Sequence, residues 1–183
     1  MRRTLFAAVA VLALVQPGLA QTAAPGTPQR VRGAIKSLDG NVLLVDTVAG
    51  GTARITLAPN YTVIAVIPAN LSDAKPGTFI GTVAVGPKDR LRAIEVQIFP
   101  STMKGTEGRF DWDMGEDSTM NNGTIEAEVS GSDGHTLTVV SKGEKLTVMV
   151  PANTPVISYE ASTPAMLTPG TKVFIGATKA ACD

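Results

Sequence analysis

The chain is poor in the residues on which disulfide frameworks and most catalytic sites depend. It has one cysteine, Cys182, and one histidine, His135. A lone cysteine cannot form an internal disulfide bond, so stability must come from ordinary burial of apolar surface. His135 directly follows a predicted turn, and no G-x-S-x-G motif is present to supply an activated serine. We therefore predict a protein that is not an enzyme, with no catalytic residues and no resident organic cofactor.

Nucleic-acid binding is also disfavoured. Only 4% of the residues are aromatic, and no stretch concentrates basic side chains into a stripe. The charge is nevertheless uneven, because residues 21–106 carry nine basic and five acidic residues whereas residues 107–183 carry five and eleven. Such an asymmetry can orient the two halves of the chain against each other, or steer a partner.

Long apolar runs are missing. The run Leu5–Val15 has 11 residues, well short of the roughly 20 that a membrane-spanning helix needs. It follows Arg2 and Arg3 and leads into small residues that end at Ala20, which is the layout of a secretory signal peptide. We predict cleavage after Ala20, no membrane span in the remaining chain, and a periplasmic or secreted bacterial protein.

Short β-branched runs separated by turn residues dominate the rest of the chain. Residues 21–30 are polar, lack periodicity and are predicted to be a disordered leader. Between residues 31 and 100, pairs such as Asp39-Gly40 and Gly50-Gly51 separate alternating apolar runs, and such pairs favour the positive φ of tight hairpin turns. The pattern predicts about six strands, with one helical turn around residues 71–74.

Several blocks recur in the second half at nearly one offset. ITLAPNYTVI at residues 55–64 aligns without gaps with VMVPANTPVI at residues 148–157, and K-P-G-T at residue 75 is answered by T-P-G-T at residue 168. F-I-G occurs at both Phe79 and Phe174. An internal repeat of an all-β unit explains these matches.

We therefore predict an all-β fold of two tandem small OB-like β-barrels with five to six strands each. Closure of each barrel would remove its exposed edges, and a sandwich of two small sheets is the alternative. The first barrel repeat spans residues 31–100, a connection rich in acids around one tryptophan spans residues 101–122, and the second repeat spans residues 123–183.

The second repeat lacks a counterpart of the last strand of the first. Three explanations are open: a truncated chain, an edge covered by the connection, or an edge completed by a strand from a partner. Truncation or cover within the chain is favoured on the sequence alone.

The pattern V-x-G-x-I-x-x-x-D-G-x-x-L-x-V at residues 31–45 resembles exported bacterial domains of unknown function that have a small β-barrel fold. Residues 93–124 are similar to a two-copy subgroup that is often labelled "metal ABC transporter permease". That label does not fit a chain without a membrane span. Gln97 and Arg109-Phe110 stand where the resemblance implies histidines. If those histidines bind metal in the relatives, this chain has lost the best ligands.

The connection contains the segment RFDWDMGEDSTM at residues 109–120, which offers ligands for a metal ion. Its acids could provide hard oxygen ligands for Ca²⁺, although Gly115 lies at the fifth position of the run and not at the sixth, where the EF-hand loop requires it. Its methionines could suit Cu(I). The candidate metal ligands are Asp111, Asp113, Glu116, Asp117, Met114 and Met120.

The other candidates in this segment are residues for contact with a partner: Arg109, Trp112 and Asp113. A lone tryptophan in a polar connection normally buries its ring and satisfies its indole N–H. We expect Trp112 to anchor the connection on the barrels together with Phe99 and Phe110, and the Asn122-Gly123 pair to open the second repeat with a turn.

Taken together, these features predict a non-enzymatic exported protein that acts as a binding or assembly module in the cell envelope. Its partner would be an envelope protein or a small ligand. The alternative is a periplasmic metal-binding protein that uses the acids and methionines of the connection.

Overall fold

The computed structural model describes residues 26–103, 105–132 and 134–179, so the predicted signal peptide lies outside the described residues. In these ranges the chain forms strands and two short 3₁₀ turns, at Leu71–Asp73 and Pro164–Met166. No helix there has the length and apolar character needed to cross a membrane. The strands are β1 (Thr27–Asp39), β2 (Val42–Thr47), β3 (Thr52–Thr56), β4 (Val63–Pro68), β5 (Phe79–Val85), β6 (Leu91–Ile98), β7 (Gly108–Asp111), β8 (Thr119–Gly131), β9 (Gly134–Ser141), β10 (Glu144–Pro151), β11 (Val156–Ser162) and β12 (Lys172–Lys179).

The all-β prediction is confirmed, and local sequence accounts for the strands of the first half. All six predicted strands are present, and the turns between them fall at the glycines that signalled them: φ is 56° at Gly40, 95° at Gly50 and 78° at Gly51. The helical turn is present as the 3₁₀ turn at Leu71–Asp73. Strand β1 begins at Thr27, inside the range predicted as a disordered leader, because its first residues pair with β12.

Five strands close into a barrel in the order β10-β9-β8-β5-β6, and a parallel pairing between β10 and β6 completes the circle. Alternate side chains of these strands point inward and fill the barrel, as closure of a small sheet requires. The barrel core includes Ile80, Leu91, Val96, Ile125, Leu137, Val139, Leu146 and Val148.

The other barrel-like unit is a curled half-barrel of four strands, in the order β12-β1-β2-β3. Its buried core is smaller and consists of Ile35, Leu43 and Val45, with partly buried apolar neighbours around them. Strands β11 and β4 extend the sheet of the closed barrel, since β11 pairs with β6 and β4 pairs with β11. The fold thus has one closed unit and one open unit.

The two halves of the sequence contribute strands to both units. The closed barrel takes β5 and β6 from the range 31–100 and takes β8, β9 and β10 from the later part of the chain. The half-barrel takes β1, β2 and β3 from the first half and β12 from the second. Each unit is therefore assembled across the middle of the chain, and neither the range 31–100 nor the range 123–183 forms a unit by itself.

The expectation that Asn122-Gly123 forms a turn is wrong, because both residues lie inside β8. A Cβ atom placed on Gly123 would lie 2.4 Å from the carbonyl oxygen of Val140 in the neighbouring strand β9. Gly33 is in the same situation in the half-barrel, where its Cβ would lie 2.2 Å from the carbonyl oxygen of Asp46 in β2. Both glycines permit a close approach between strands.

Candidate functional site

The segment Arg109–Met120 forms a hairpin in which β7 leads through a tight loop into β8. The backbone N–H of Trp112 donates to the carbonyl oxygen of Ser118 at 2.9 Å, and the Ser118 hydroxyl lies 2.8 Å from the carbonyl oxygen of Gly115. Ser118 is buried, and Gly115 has a φ of 132°, a conformation that favours glycine. These bonds close the loop on itself and fix the position of Trp112 against the rest of the fold.

Trp112 packs against strands β1 and β12 of the half-barrel. The guanidinium carbon of Arg30 lies 4.3 Å from the centroid of the indole ring, and the ring of Phe174 lies 5.8 Å from it. Arg32 stands 4.2 Å from the centroid of Phe174, and Arg30 also donates to the carbonyl oxygen of Asp111 at 3.1 Å. Two cations and two aromatic rings thus alternate along this surface, and each cation–π contact is worth about 0.5–1 kcal/mol at an exposed site.

Arg32 and Asp113 form a bidentate ion pair between the two halves of the chain. The guanidinium donates from Nε and Nη2 to the two carboxylate oxygens at 2.9 and 3.0 Å, which is the bidentate geometry that arginine favours. The hydrogen bonds and the charge of Arg32 hold the pKa of the Asp113 carboxyl below its usual value. Lys88 and Glu144 form a second ion pair between the basic first half and the acidic second half.

Trp112 therefore packs as an anchor, but its surroundings differ from the expected ones. Its ring neighbour is Phe174, whereas Phe99 packs against Phe79 and Tyr159, with ring centroids 5.6 and 5.2 Å apart. The indole Nε1 is buried and has no hydrogen-bond partner among the described residues, so no protein group there supplies the acceptor that we expected. The indole is held by its contacts with arginine side chains and with the ring of Phe174.

An open cleft of about 540 Å³ lies between the closed barrel and the half-barrel, beside this cluster. Its walls come from both units and from β4 and β11. Five aromatic side chains and several aliphatic ones surround a small number of polar groups. The lining residues are Arg30, Arg32, Val66, Glu95, Gln97, Phe99, Thr106, Phe110, Trp112, Met120, Asn122, Ile157, Tyr159 and Phe174.

A chain of hydrogen bonds runs along one wall of the cleft. The Tyr159 hydroxyl donates to Gln97 Oε1 at 2.7 Å, and Gln97 Nε2 donates to Glu95 Oε1 at 2.8 Å. Burial, with a contribution from the negative charge of Glu95, raises the pKa of Tyr159 to about 12. The tyrosine is therefore a neutral hydrogen-bond donor at physiological pH, and the amide of Gln97 relays between it and the carboxylate.

The raised pKa of Tyr159 is directly testable. In the variant Tyr61→Phe, Tyr159 is the only tyrosine left, and its ionisation should have a midpoint near 12. The pKa of Tyr159 in the folded protein lies above its unfolded value of roughly 10. The contribution of Tyr159 to stability is therefore fully present at pH values below this unfolded pKa. It is then lost as the pH rises through the folded pKa. Ultraviolet titration, with circular dichroism to confirm folding, measures the midpoint, and the additional change Glu95→Gln should lower it. A midpoint near the unfolded value in folded protein would contradict this environment.

The candidate metal ligands do not form a cluster. Asp113 is engaged by Arg32, Glu116 and Asp117 are exposed at the loop, and Met120 is buried in the wall of the barrel. Asp111 is exposed on β7 and Met114 is half-buried in the loop. Within the ranges that the structure describes, no group of three or more histidine, cysteine, aspartate or glutamate side chains is placed to hold a metal ion.

The three candidate partner residues have different positions. Trp112 lines the cleft and Asp113 fixes Arg32 beside it, whereas Arg109 donates to the carbonyl oxygen of Gly86 at 3.0 Å, away from the cleft. Sequence reasoning did not identify five residues of the cleft as site residues: Arg30, Arg32, Gln97, Tyr159 and Phe174. The two arginines carried a usable signal, because residues two apart in a strand share one face.

His135 lies outside the cleft, in the β8–β9 hairpin. Its Nδ1 is 2.7 Å from a carboxylate oxygen of Glu128 and 3.4 Å from the hydroxyl of Ser130. In a catalytic triad the acid and the nucleophile contact opposite nitrogens of the imidazole. Here both contact the same nitrogen, so this trio does not have the geometry that activates a serine.

The cleft offers aromatic faces, two guanidinium groups and a few hydrogen-bonding atoms. Asn122 uses its Nδ2 to donate to the carbonyl oxygen of Thr106 at 2.9 Å, while its buried Oδ1 has no partner in the described part of the chain. This composition suits non-covalent binding of an apolar or planar group that carries few polar atoms. Comparisons of the chain with protein-family models, curated proteins and solved structures found no match.

Proposed function

We propose that this protein is a non-enzymatic binding module of the cell envelope and that the cleft beside Trp112 is its binding site. The observation that carries the proposal is the construction of the cleft, whose aromatic and cationic walls come from both barrel-like units. Its volume of about 540 Å³ falls within the range of roughly 300–1,000 Å³ that is common for small-molecule sites.

The charges of the cleft favour a neutral aromatic group as the ligand. Arg32 is already neutralised by Asp113, and Arg30 lies on the indole ring of Trp112. Glu95 contributes one carboxylate to the lining of the cleft. A ligand with a large net charge of either sign would meet a group of like charge on one of the walls, whereas a neutral ring can stack against Trp112 and Phe174.

The location in the envelope rests on the sequence. Residues 1–20 have the charged start, apolar run and small-residue exit of a secretory signal peptide. The resemblance of residues 31–45 and 93–124 to exported bacterial domains supports the same location. We propose a periplasmic or secreted protein whose partner is a small ligand or an aromatic side chain of another envelope protein.

A titration with three matched compounds tests the cleft. N-acetyl-phenylalaninamide and N-acetyl-tyrosinamide present a neutral ring, and N-acetyl-alaninamide has the same backbone without one. Because Trp112 is the only tryptophan, heteronuclear NMR shows one indole N–H signal, which reports on the cleft. We expect the two ring compounds to shift this signal saturably and the alanine compound to leave it unchanged.

Matched protein variants locate the binding. Phe174→Ala removes one aromatic wall of the cleft and should weaken binding of the ring compounds at least about fivefold, in line with the loss of one aromatic contact. Val129→Ala removes a side chain that is 66% exposed on β8 and does not line the cleft, and it should leave the affinity unchanged. Equal responses to all three compounds, or equal affinities of both variants, would refute the cleft as the site.

A further inference from the structure

The cleft contains one carboxylate whose capacity to accept hydrogen bonds is largely unused. Glu95 lines the cleft and is half-buried. In the described part of the chain, the only hydrogen bond to its carboxylate comes from Gln97 Nε2 at 2.8 Å, and no cationic side chain forms an ion pair with it. The two oxygens of a carboxylate can together accept about four hydrogen bonds. Glu95 therefore keeps acceptor sites for a group that enters the cleft.

Neighbouring side chains fix the position of this carboxylate. The Tyr159 hydroxyl donates to Oε1 of Gln97 at 2.7 Å, so the amide nitrogen of Gln97 is the atom that faces Glu95. Gln97 is only 7% exposed, and the burial around it confines the amide. The ring of Phe99 packs on Tyr159, with centroids 5.2 Å apart. The carboxylate thus stands at the end of a chain of ordered side chains, and aromatic surface lies beside that chain.

The charges that line the cleft select a neutral donor as the partner of Glu95. An organic cation suits a carboxylate among aromatic rings, but the positive charges of Arg30 and Arg32 line the same cleft and oppose it. An anionic ligand would be repelled by Glu95, and the ion pair with Asp113 already occupies two donor nitrogens of Arg32. A neutral ring with a hydroxyl group meets neither obstacle.

We propose that the ligand of the cleft is a phenol, whose ring packs among the aromatic walls and whose hydroxyl donates a hydrogen bond to Glu95. This inference rests on the proposed function, because it assigns a chemical class to the ligand of the same cleft. A hydrogen bond from a neutral hydroxyl to a carboxylate is short and about twice as strong as one between neutral groups. A ring without the hydroxyl would take water from the carboxylate and supply no donor, so Glu95 determines the specificity of the site.

Three ring compounds that differ only at the hydroxyl test this assignment. They are N-acetyl-tyrosinamide, its O-methyl ether and N-acetyl-phenylalaninamide, and the indole N–H signal of Trp112 measures the affinity of each. The ether keeps the oxygen atom but has no proton to donate. We expect N-acetyl-tyrosinamide to bind at least about tenfold more tightly than either of the other two, as the loss of one hydrogen bond to a charged group predicts.

Two protein variants with the same change of net charge locate the acceptor. Glu95→Gln should lower the preference for the hydroxyl compound at least about threefold, because a neutral amide oxygen accepts a weaker hydrogen bond than a carboxylate. Its affinity for N-acetyl-phenylalaninamide should stay within about twofold of that of the unchanged protein, since this ring makes no hydrogen bond there. Glu160→Gln alters an exposed carboxylate on the neighbouring strand β11 that does not line the cleft, and it should keep the full preference. Circular dichroism of both variants confirms that they are folded.

The possible failures are distinguishable. If the three compounds bind with equal affinity, the phenol assignment is overturned while the cleft remains a binding site for aromatic rings. If the ether binds as tightly as N-acetyl-tyrosinamide, the ligand oxygen acts as an acceptor, which also overturns the assignment. A preference that survives unchanged in Glu95→Gln removes Glu95 as the acceptor and refutes the inference. If none of the ring compounds binds, the proposed function fails together with the inference.

Discussion

Replacing Gly123 by alanine is expected to destabilise the protein by about 3 kcal/mol, at the upper end of the usual cost of overpacking. The added Cβ would lie 2.4 Å from the carbonyl oxygen of Val140 and 2.8 Å from Cγ1 of Val139. Gly123 lies in the middle of the closed barrel, where β8 pairs with β5 on one side and β9 on the other. Neither neighbour can move away without breaking the barrel, so the free energy of unfolding in urea should fall.

Gly176→Ala is the matched control. Gly176 is also a strand glycine, in β12, but a Cβ atom there meets nothing within 4 Å and its φ is not in the left-handed region. The change should alter the free energy of unfolding by less than about 0.5 kcal/mol, as is usual for surface substitutions. If both variants lost similar stability, the close approach of strands at Gly123 would not be the cause.

Most strands could be predicted from sequence because their signals are local. Alternation of apolar residues marks a strand, and a pair such as Gly50-Gly51 marks a turn whatever the rest of the chain does. The Asn122-Gly123 pair shows the limit of this reasoning. It has the strongest turn signature of all, yet the structure uses its glycine for the contact between β8 and β9.

The partners of the strands could not be predicted in the same way. The exposed edge of a strand presents the same backbone groups whichever neighbour it meets, and the two halves of the chain carry similar patterns. The sequence alone therefore could not show whether β6 would close a barrel by pairing with β3 or by pairing with β10. The structure has the second arrangement, which leaves the half-barrel as the open unit.

For the cleft, sequence reasoning identified the central residue but not its surroundings. Trp112 stood out because it is the only tryptophan and lies among acids. Its contacts with Arg30 and Phe174 join residues that are far apart in the chain. Arg30 also lies in the range predicted as a disordered leader, and only its pairing with Gly176 of β12 makes that range a strand.

The last prediction compares the two cores through a pair of corresponding leucines. Leu43 and Leu137 stand at the same distance after an Asp-Gly pair in the sequence, and they are 1% and 0% exposed. Leu137→Ala should cost about 4 kcal/mol, because the closed barrel cannot relax around the resulting cavity. Leu43→Ala should cost about 2 kcal/mol, since the open half-barrel has fewer buried neighbours and can adjust around the smaller side chain.

Urea unfolding of both variants, with Val129→Ala as the surface control, measures the difference. Val129 is 66% exposed, so its truncation should change the free energy of unfolding by less than about 0.5 kcal/mol. A cost at Leu43 equal to or above that at Leu137 would mean that the half-barrel core is as tightly enclosed as the barrel. A smaller cost at Leu43 is the result expected of the half-barrel, because its core is packed less completely than the core of the closed barrel.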